Sequence, residues 1–183
     1  ERMLDIYVPR KELFNNDTQE FIEIPGAKFT IEHSLISLSK WESKWKKSFI
    51  NTKNLTGIEF ADYVRCMTIG KECTFDVYSN LGSKNEQRIR DYIDDSMTAT
   101  TFRSSQTQTK HRNEIITAEL IYYWMIEAGV PFECEKWHLN RLLALIRVCN
   151  VKNSSGKKMS KKDIMKENAA LNAARRKASG SKG

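Results

Sequence analysis

Residues 21–45 read FIEIPGAKFTIEHSLISLSKWESKW, and this stretch decides the fold. Through Phe21-Ile22-Glu23-Ile24, and again through Lys28-Phe29-Thr30-Ile31-Glu32, apolar and polar side chains alternate. That is the period of a strand with one buried face, and Pro25-Gly26 between the two runs is a turn signal. The stretch reads as a β-hairpin, which a short strand from Leu4 to Val8 can join. Past His33 the period changes. Leu38, Trp41 and Trp45 fall on one side of a helix whose other side carries Lys40, Lys44 and Lys46. The expected class is therefore α+β, mainly α: a small N-terminal β-hairpin sheet packed on a helical bundle, followed by a basic C-terminal helix or tail.

Helix-start signals continue downstream. A hydroxyl residue three positions before Glu can satisfy two orphan N–H groups at a helix start. Ser39 and Glu42 have that spacing, although Ser34 or Ser37 could equally open the helix; Thr56 with Glu59 and Ser83 with Glu86 repeat it. Three short helices are expected. The run RSSQTQTKHR, residues 103–112, has no apolar residue and reads as an exposed loop. Beyond it Asn113 can cap a helix over residues 114–128, ended by Gly129 and Pro131, and a second helix is expected over residues 137–148. The two should form a helical hairpin at the centre of the core.

After Cys149 the composition turns polar in NVKNSSGKK, residues 150–158. The expected division is a single globular body over residues 1–150, a flexible linker over 151–160, and a basic helix and tail over 161–183. Ser160 and Asp163 give one more cap spacing there, ahead of an apolar stripe of Ile164, Met165, Leu171 and Ala174.

The charge follows the same division. The chain carries 30 Lys and Arg against 23 Asp and Glu, a net of +7. Residues 152–183 hold eight Lys, two Arg, one Asp and one Glu, a net of +8, which leaves 20 minus 21, or −1, for residues 1–151. A basic partner-seeking tail follows a body near neutrality. Such a tail can dock on an acidic protein surface, or bind nucleic acid through phosphates with strong salt dependence.

No apolar run approaches the ~20 residues that span a bilayer, and the first residues lack a basic segment followed by an apolar one, so neither membrane insertion nor secretion is expected. Cys66, Cys73, Cys134 and Cys149 sit in apolar or helical stretches of a body that needs no staples, which fits a reducing compartment.

Enzymatic chemistry finds little footing. Cys134 and His138 are four apart, a spacing that can share a helix face around a metal, but no second pair lies near them. Cys66 and Cys73 have no standard zinc spacing. None of His33, His111 and His138 stands in a nucleophile motif, and no glycine-rich phosphate loop is present. Asp91, Asp94 and Asp95 could pair as carboxylates, yet they fall at a helix end, where a solvated turn is the simpler reading. Neither an enzyme nor a cofactor is expected. Trp41, Trp45, Trp124 and Trp137 lie at helical spacing among aliphatic neighbours, which favours packing over base stacking.

Four segments together resemble a group of tailed-bacteriophage tail-assembly proteins: LISLSKWESKWKK within Ser34–Phe49, YIDDSMTATTF over 92–102, EIITAELIYYWMIEAGVPFECEKWHLNRLLALIRVC over 114–149, and KKMSKKDIMKENAALNAARRK over 157–177. The resemblance implies a tail assembly chaperone, a protein that coats the long, aggregation-prone tape measure protein until the tail tube forms around it. A virion structural protein of the tail or neck is the competing reading, because the N-terminal hairpin departs from an all-helical chaperone. The implied partners are the tape measure protein or another phage tail protein, together with further copies of the chain as a homo-oligomer, in the host cell cytoplasm. The partner-binding residues expected on this basis are Trp137, Leu139 and Leu142 on one helix face, and Lys161, Lys162, Ile164, Arg175 and Arg176 in the basic tail.

Overall fold

The structure is a computed structural model that describes residues 3–102, 114–155 and 165. It is α+β and mainly α, with the strands at the N-terminal end and the helices after them. Strands β1 (Leu4–Val8), β2 (Lys11–Asn15), β3 (Glu20–Ile24) and β4 (Ala27–Ile31) come first. Both runs singled out in the sequence are strands, but they do not pair with each other. β3 pairs antiparallel with β2 and β4 pairs antiparallel with β1, in one shared register: Leu4 faces Ile31, Val8 faces Ala27, Lys11 faces Ile24 and Asn15 faces Glu20.

The four strands are thus the two arms of one long hairpin that turns at residues 16–19, and Pro25-Gly26 is a bend along one arm. The bend has a direct cause. Pro9 and Pro25 lie in opposite arms between the two ladders, and neither can donate a ladder hydrogen bond. The arms also approach closely there, since a Cβ on Gly26 would stand 3.0 Å from the Arg10 backbone nitrogen. Local side-chain bonds shape the true turn: Asn15 Oδ1 accepts from the Asp17 N–H at 2.9 Å, and Gln19 Nε2 donates to the Asn16 carbonyl at 2.9 Å.

The helices are α1 (Leu35–Trp45), α2 (Gly57–Met67), α3 (Phe75–Ser79), α4 (Ser83–Asp94), α5 (Ala118–Ala128) and α6 (Leu139–Ser155). A 3-10 helix spans Phe132–Lys136, and a short strand β5 (Thr68–Ile69) adds to β4. Ser34 opens α1 with Ser37 in a reciprocal box, so Ser39 and Glu42 do not serve as the cap. Thr56 and Glu59 cap α2 as their spacing requires. At α4 the expected box does not form; Gly82 holds the cap position and makes no side-chain cap bond. The one-turn helix α3 has no periodic signal long enough to read.

Helix α5 begins at Ala118, with Thr117 as its cap, rather than at residue 114. The Glu42 carboxylate accepts from the Ala118 N–H at 2.7 Å, so a long-range bond fixes this start. Gly129 ends the helix in the left-handed region at φ 65°, as its position predicts. Helix α6 runs to Ser155 and covers residues 151–155, which composition assigned to a linker. By contacts the chain divides into Glu1–Arg147 and Val148–Gly183. The expected tail helix over residues 161–178 lies outside the described residues, apart from Met165.

The expected α5–α6 hairpin is not the centre of the core. Buried Ile6, Val8, Phe29 and Ile31 from the ribbon base meet Trp41 of α1, Phe60, Tyr63, Val64 and Met67 of α2, Val77 and Tyr78 of α3, and Ile89 of α4. Helix α5 packs chiefly on α1. Trp41 is fully buried and its Nε1 donates to the Glu59 carbonyl at 3.0 Å, which joins α1 to α2. Asp62, buried in α2, accepts from Lys44 Nζ at 2.8 Å, Trp45 Nε1 at 2.8 Å and Arg65 Nε at 2.9 Å.

Candidate functional site

Two kinds of feature compete for a functional role: a buried polar cluster beside a pocket, and two exposed apolar surfaces. The cluster is built around His33, which follows β4. Its Nδ1 accepts from the Tyr63 hydroxyl at 2.6 Å, and its ring lies 5.0 Å from that of His138. Burial first, and the neighbouring His138 second, push the His33 imidazole down to about 3, so it is neutral at physiological pH. Burial also lowers His138, and burial raises the Tyr63 hydroxyl well above its usual value.

His138 and Asn140 join elements together. His138 Nε2 donates to the Tyr92 carbonyl at 2.9 Å, while its Nδ1 accepts from the Asn140 N–H at 3.3 Å. Asn140 Nδ2 donates to the carbonyls of Ile93 at 2.9 Å and Asp95 at 2.8 Å. His138 and Asn140 together therefore satisfy carbonyls at the C-terminal end of α4 that no helical N–H can reach. The Leu139 N–H bonds to the His33 carbonyl at 2.8 Å and completes the joint. Ser37 of α1 donates to the Ser34 carbonyl at 2.8 Å. A neutral imidazole bonded through Nδ1 to a neutral phenol is a structural seam.

A pocket of ≈ 410 Å³ opens beside this seam, lined in part by His33, Phe60, Lys53, Arg90, Asp94 and Asn140. The Arg90 guanidinium lies 4.3 Å over the Phe60 ring. Charges of both signs line it, and the Asn140 amide hydrogens are committed to α4, so the pocket presents no single ligand chemistry.

The exposed surfaces are more distinctive. At the ribbon tip Phe14 faces Phe21 and Leu13 faces Ile22 across the ladder. Successive residues of a strand point to opposite faces, so the first pair covers one face of the ribbon and the second covers the other. All four are exposed, Phe21 at 72 %, and the Phe14 and Phe21 rings pack edge to face at 5.1 Å. β2 and β3 form a two-stranded sheet of their own. The second surface lies on α5, where Glu119, Tyr123, Ile126 and Glu127 are exposed at i, i+4, i+7 and i+8. Ile126 is 63 % exposed and Phe132, just beyond the helix, 54 %.

The residues singled out in the sequence fare differently. Leu139 and Leu142 lie in the core, 2 % and 0 % exposed, because the α6 start is spent on holding the segment that follows β4 and the end of α4. Trp137 is half-buried, with the Arg141 guanidinium 4.4 Å over its ring. Lys161, Lys162, Ile164, Arg175 and Arg176 lie outside the described residues. Cys134 sits in the 3-10 helix, not on a shared helix face with His138, and both ring nitrogens of His138 have protein partners. Among the described residues no group of three or more His, Cys, Asp or Glu side chains is placed to hold a metal ion. Asp94 is the last residue of α4 and Asp95 its C-cap. The four cysteines are free thiols, and no helix among the described residues is long and apolar enough to cross a membrane. Sequence reading missed both exposed surfaces; the adjacent apolar pairs Leu13-Phe14 and Phe21-Ile22, which put an apolar side chain on each face of a strand, were the available signal for the first. Compared with protein-family models, curated proteins and solved structures, the chain matches none.

Proposed function

We propose that this chain is a protein-binding assembly factor of the tail assembly chaperone type, with the tape measure protein as its client in the host cell cytoplasm. The observation that carries the reading is the ribbon tip. A two-stranded ribbon is marginal by itself in water, and one with apolar side chains exposed on both faces gains stability when a partner covers them. Leu13, Phe14, Phe21 and Ile22 give a client's apolar segments somewhere to bury, and the outer edges of β2 and β3 offer backbone groups for pairing. Binding of this kind needs no cofactor and no catalytic group.

Co-expression with the tape measure protein of the same phage tests the proposal. The client is expected to become soluble and to co-purify with the full-length chain, and Phe14→Ser with Phe21→Ser is expected to abolish both effects while leaving the circular dichroism of the chain unchanged. A client that stays as insoluble as when expressed alone, with none co-purifying, overturns it.

A further inference from the structure

The α5 surface has a composition that the ribbon tip lacks. From Glu114 to Lys136, the end of the 3-10 helix, the chain holds five glutamates, one lysine (Lys136) and no arginine. Glu119, Glu127 and Glu133 are exposed, interleaved with exposed Tyr123, Ile126 and Phe132. The elements are locked together: Tyr122 of α5 donates to Glu135 at 2.7 Å, and the Tyr122 and Phe132 rings lie 6.2 Å apart. Tyr123 donates to Glu127 at 2.5 Å along the helix. None of the ion pairs among the described residues involves Glu119, Glu127, Glu133 or Glu135. Of the lysines in and just after α1, Lys44 pairs with Asp62 and Lys47 with Glu59, and neither Lys40 nor Lys46 forms an ion pair with the glutamates of this face among the described residues.

Only one segment of this chain has the complementary character. Residues 152–183 carry a net charge of +8, and Ile164, Met165, Leu171 and Ala174 supply apolar positions among the cations. Met165 is 74 % exposed. We propose that the acidic, apolar face of α5 and the 3-10 helix is a docking surface for the basic C-terminal segment of a second copy of this chain. Opposite charges steer the encounter and fix its direction, while Tyr123, Ile126 and Phe132 provide the apolar contact. The surfaces joined are different patches, so the contact is heterologous: each copy gives a tail and receives one, and repetition yields a ring or a filament. The inference is independent of which client the ribbon tip takes.

The test uses the full-length chain and sedimentation velocity. The wild type is expected to assemble as concentration rises, and raising salt should weaken assembly about tenfold or more, as screening of charge-driven contacts requires. Two variants separate the halves of the contact: Tyr123→Lys with Ile126→Lys on the face, and Lys161→Glu, Lys162→Glu, Arg175→Glu with Arg176→Glu in the tail. Each is expected to be monomeric alone. Mixed, they should form a 1:1 dimer and stop there, because only one intact face meets one intact tail. Circular dichroism of each variant guards against misfolding, and dimer formation on mixing would itself demonstrate that the remaining surface is intact. A monomeric wild type, assembly that survives the face substitutions, or a folded pair that fails to dimerise overturns the proposal. So does a tail that binds duplex DNA while the chain remains monomeric.

Discussion

Replacing Asp62 with Asn should cost about 2–3 kcal/mol, and the geometry explains why an isosteric change is so expensive. The Asp62 side chain is 1 % exposed and acts only as an acceptor: Oδ1 receives Lys44 Nζ and Arg65 Nε, and Oδ2 receives Trp45 Nε1. An amide keeps one oxygen. Whichever way it is turned, its NH₂ group meets a donor, either the indole or the two cations. Hydrogen bonds to a charged group are worth about 1.5–3 kcal/mol net, and a buried donor left unsatisfied adds to the loss. Two features limit it. The Lys44 side chain is 53 % exposed and can return to water, and Arg65 retains Glu72 at 3.0 Å. At about 2–4 °C per kcal/mol for a chain of this length, the melting temperature should fall by about 4–12 °C.

The pH dependence gives the assay a second axis. Burial pushes the Asp62 carboxyl up, but the bonds from Lys44, Trp45 and Arg65 together outweigh it and hold the group below its ordinary value of 3.8. A carboxylate depressed in the folded state contributes stability above its unfolded pKa, and that stability is lost as pH falls through the folded one. The gap between wild type and Asp62→Asn, read from urea unfolding, should therefore be full at pH 7 and narrow once the pH drops below about 4. A variant that melts within about 1 °C of wild type at pH 7 would refute the reasoning, as would a gap that widens in acid.

Three further outcomes follow from the same structure. His33, held neutral down to about 3, leaves only the unfolded chain to take up its proton below 6.5, so acid removes stability at about 1.4 kcal/mol per pH unit. Urea unfolding between pH 6 and 4 should show a slope that drops by about one proton in His33→Gln, and an unchanged slope would contradict the assignment. Asn140→Ala removes both side-chain bonds to the end of α4 and should cost about 1–3 kcal/mol, measurable as earlier hydrogen exchange in the last turn of that helix. At the two left-handed helix ends the signs are opposite: Gly129→Ala, with φ 65° and open space around its Cβ, should lose about 1 kcal/mol, while Lys46→Gly, with φ 55°, should gain up to about 1 kcal/mol in thermal melts.

What could be read from the sequence was whatever a local pattern determines. The change from period two to helical period at His33 marks the passage from β4 to α1, and Thr56 with Glu59 caps α2 because both partners lie within one turn. The failures share one cause, which is that a distant residue decides. Asn113 is a good cap by composition, yet α5 starts at Ala118 because Glu42, 76 residues earlier, takes that N–H. Pro25-Gly26 has turn chemistry, but Pro9 on the opposite arm makes it a bend, and a turn at residues 16–19 then sets the register of four strands.

The same distinction governs the candidate surfaces. The resemblance implies Leu139 and Leu142 as partner-binding residues, but the apolar stripe of α6 is spent internally once His138 and Asn140 hold α4 and Leu139 bonds to β4's successor, His33. Burial cannot be read from a stripe alone, since a core face and a docking face have the same periodicity. What separates them here is charge. The α5 face mixes exposed Tyr123, Ile126 and Phe132 with carboxylates, whereas the core cluster is built from residues such as Ile6, Val64 and Ile89. An apolar face that keeps its acids is adapted to a partner that is itself apolar and basic, and the body, near neutrality overall, is uneven in its distribution. The excess positive charge of the tail then has a complementary patch on the fold, which is the basis on which joining of copies of this chain is proposed.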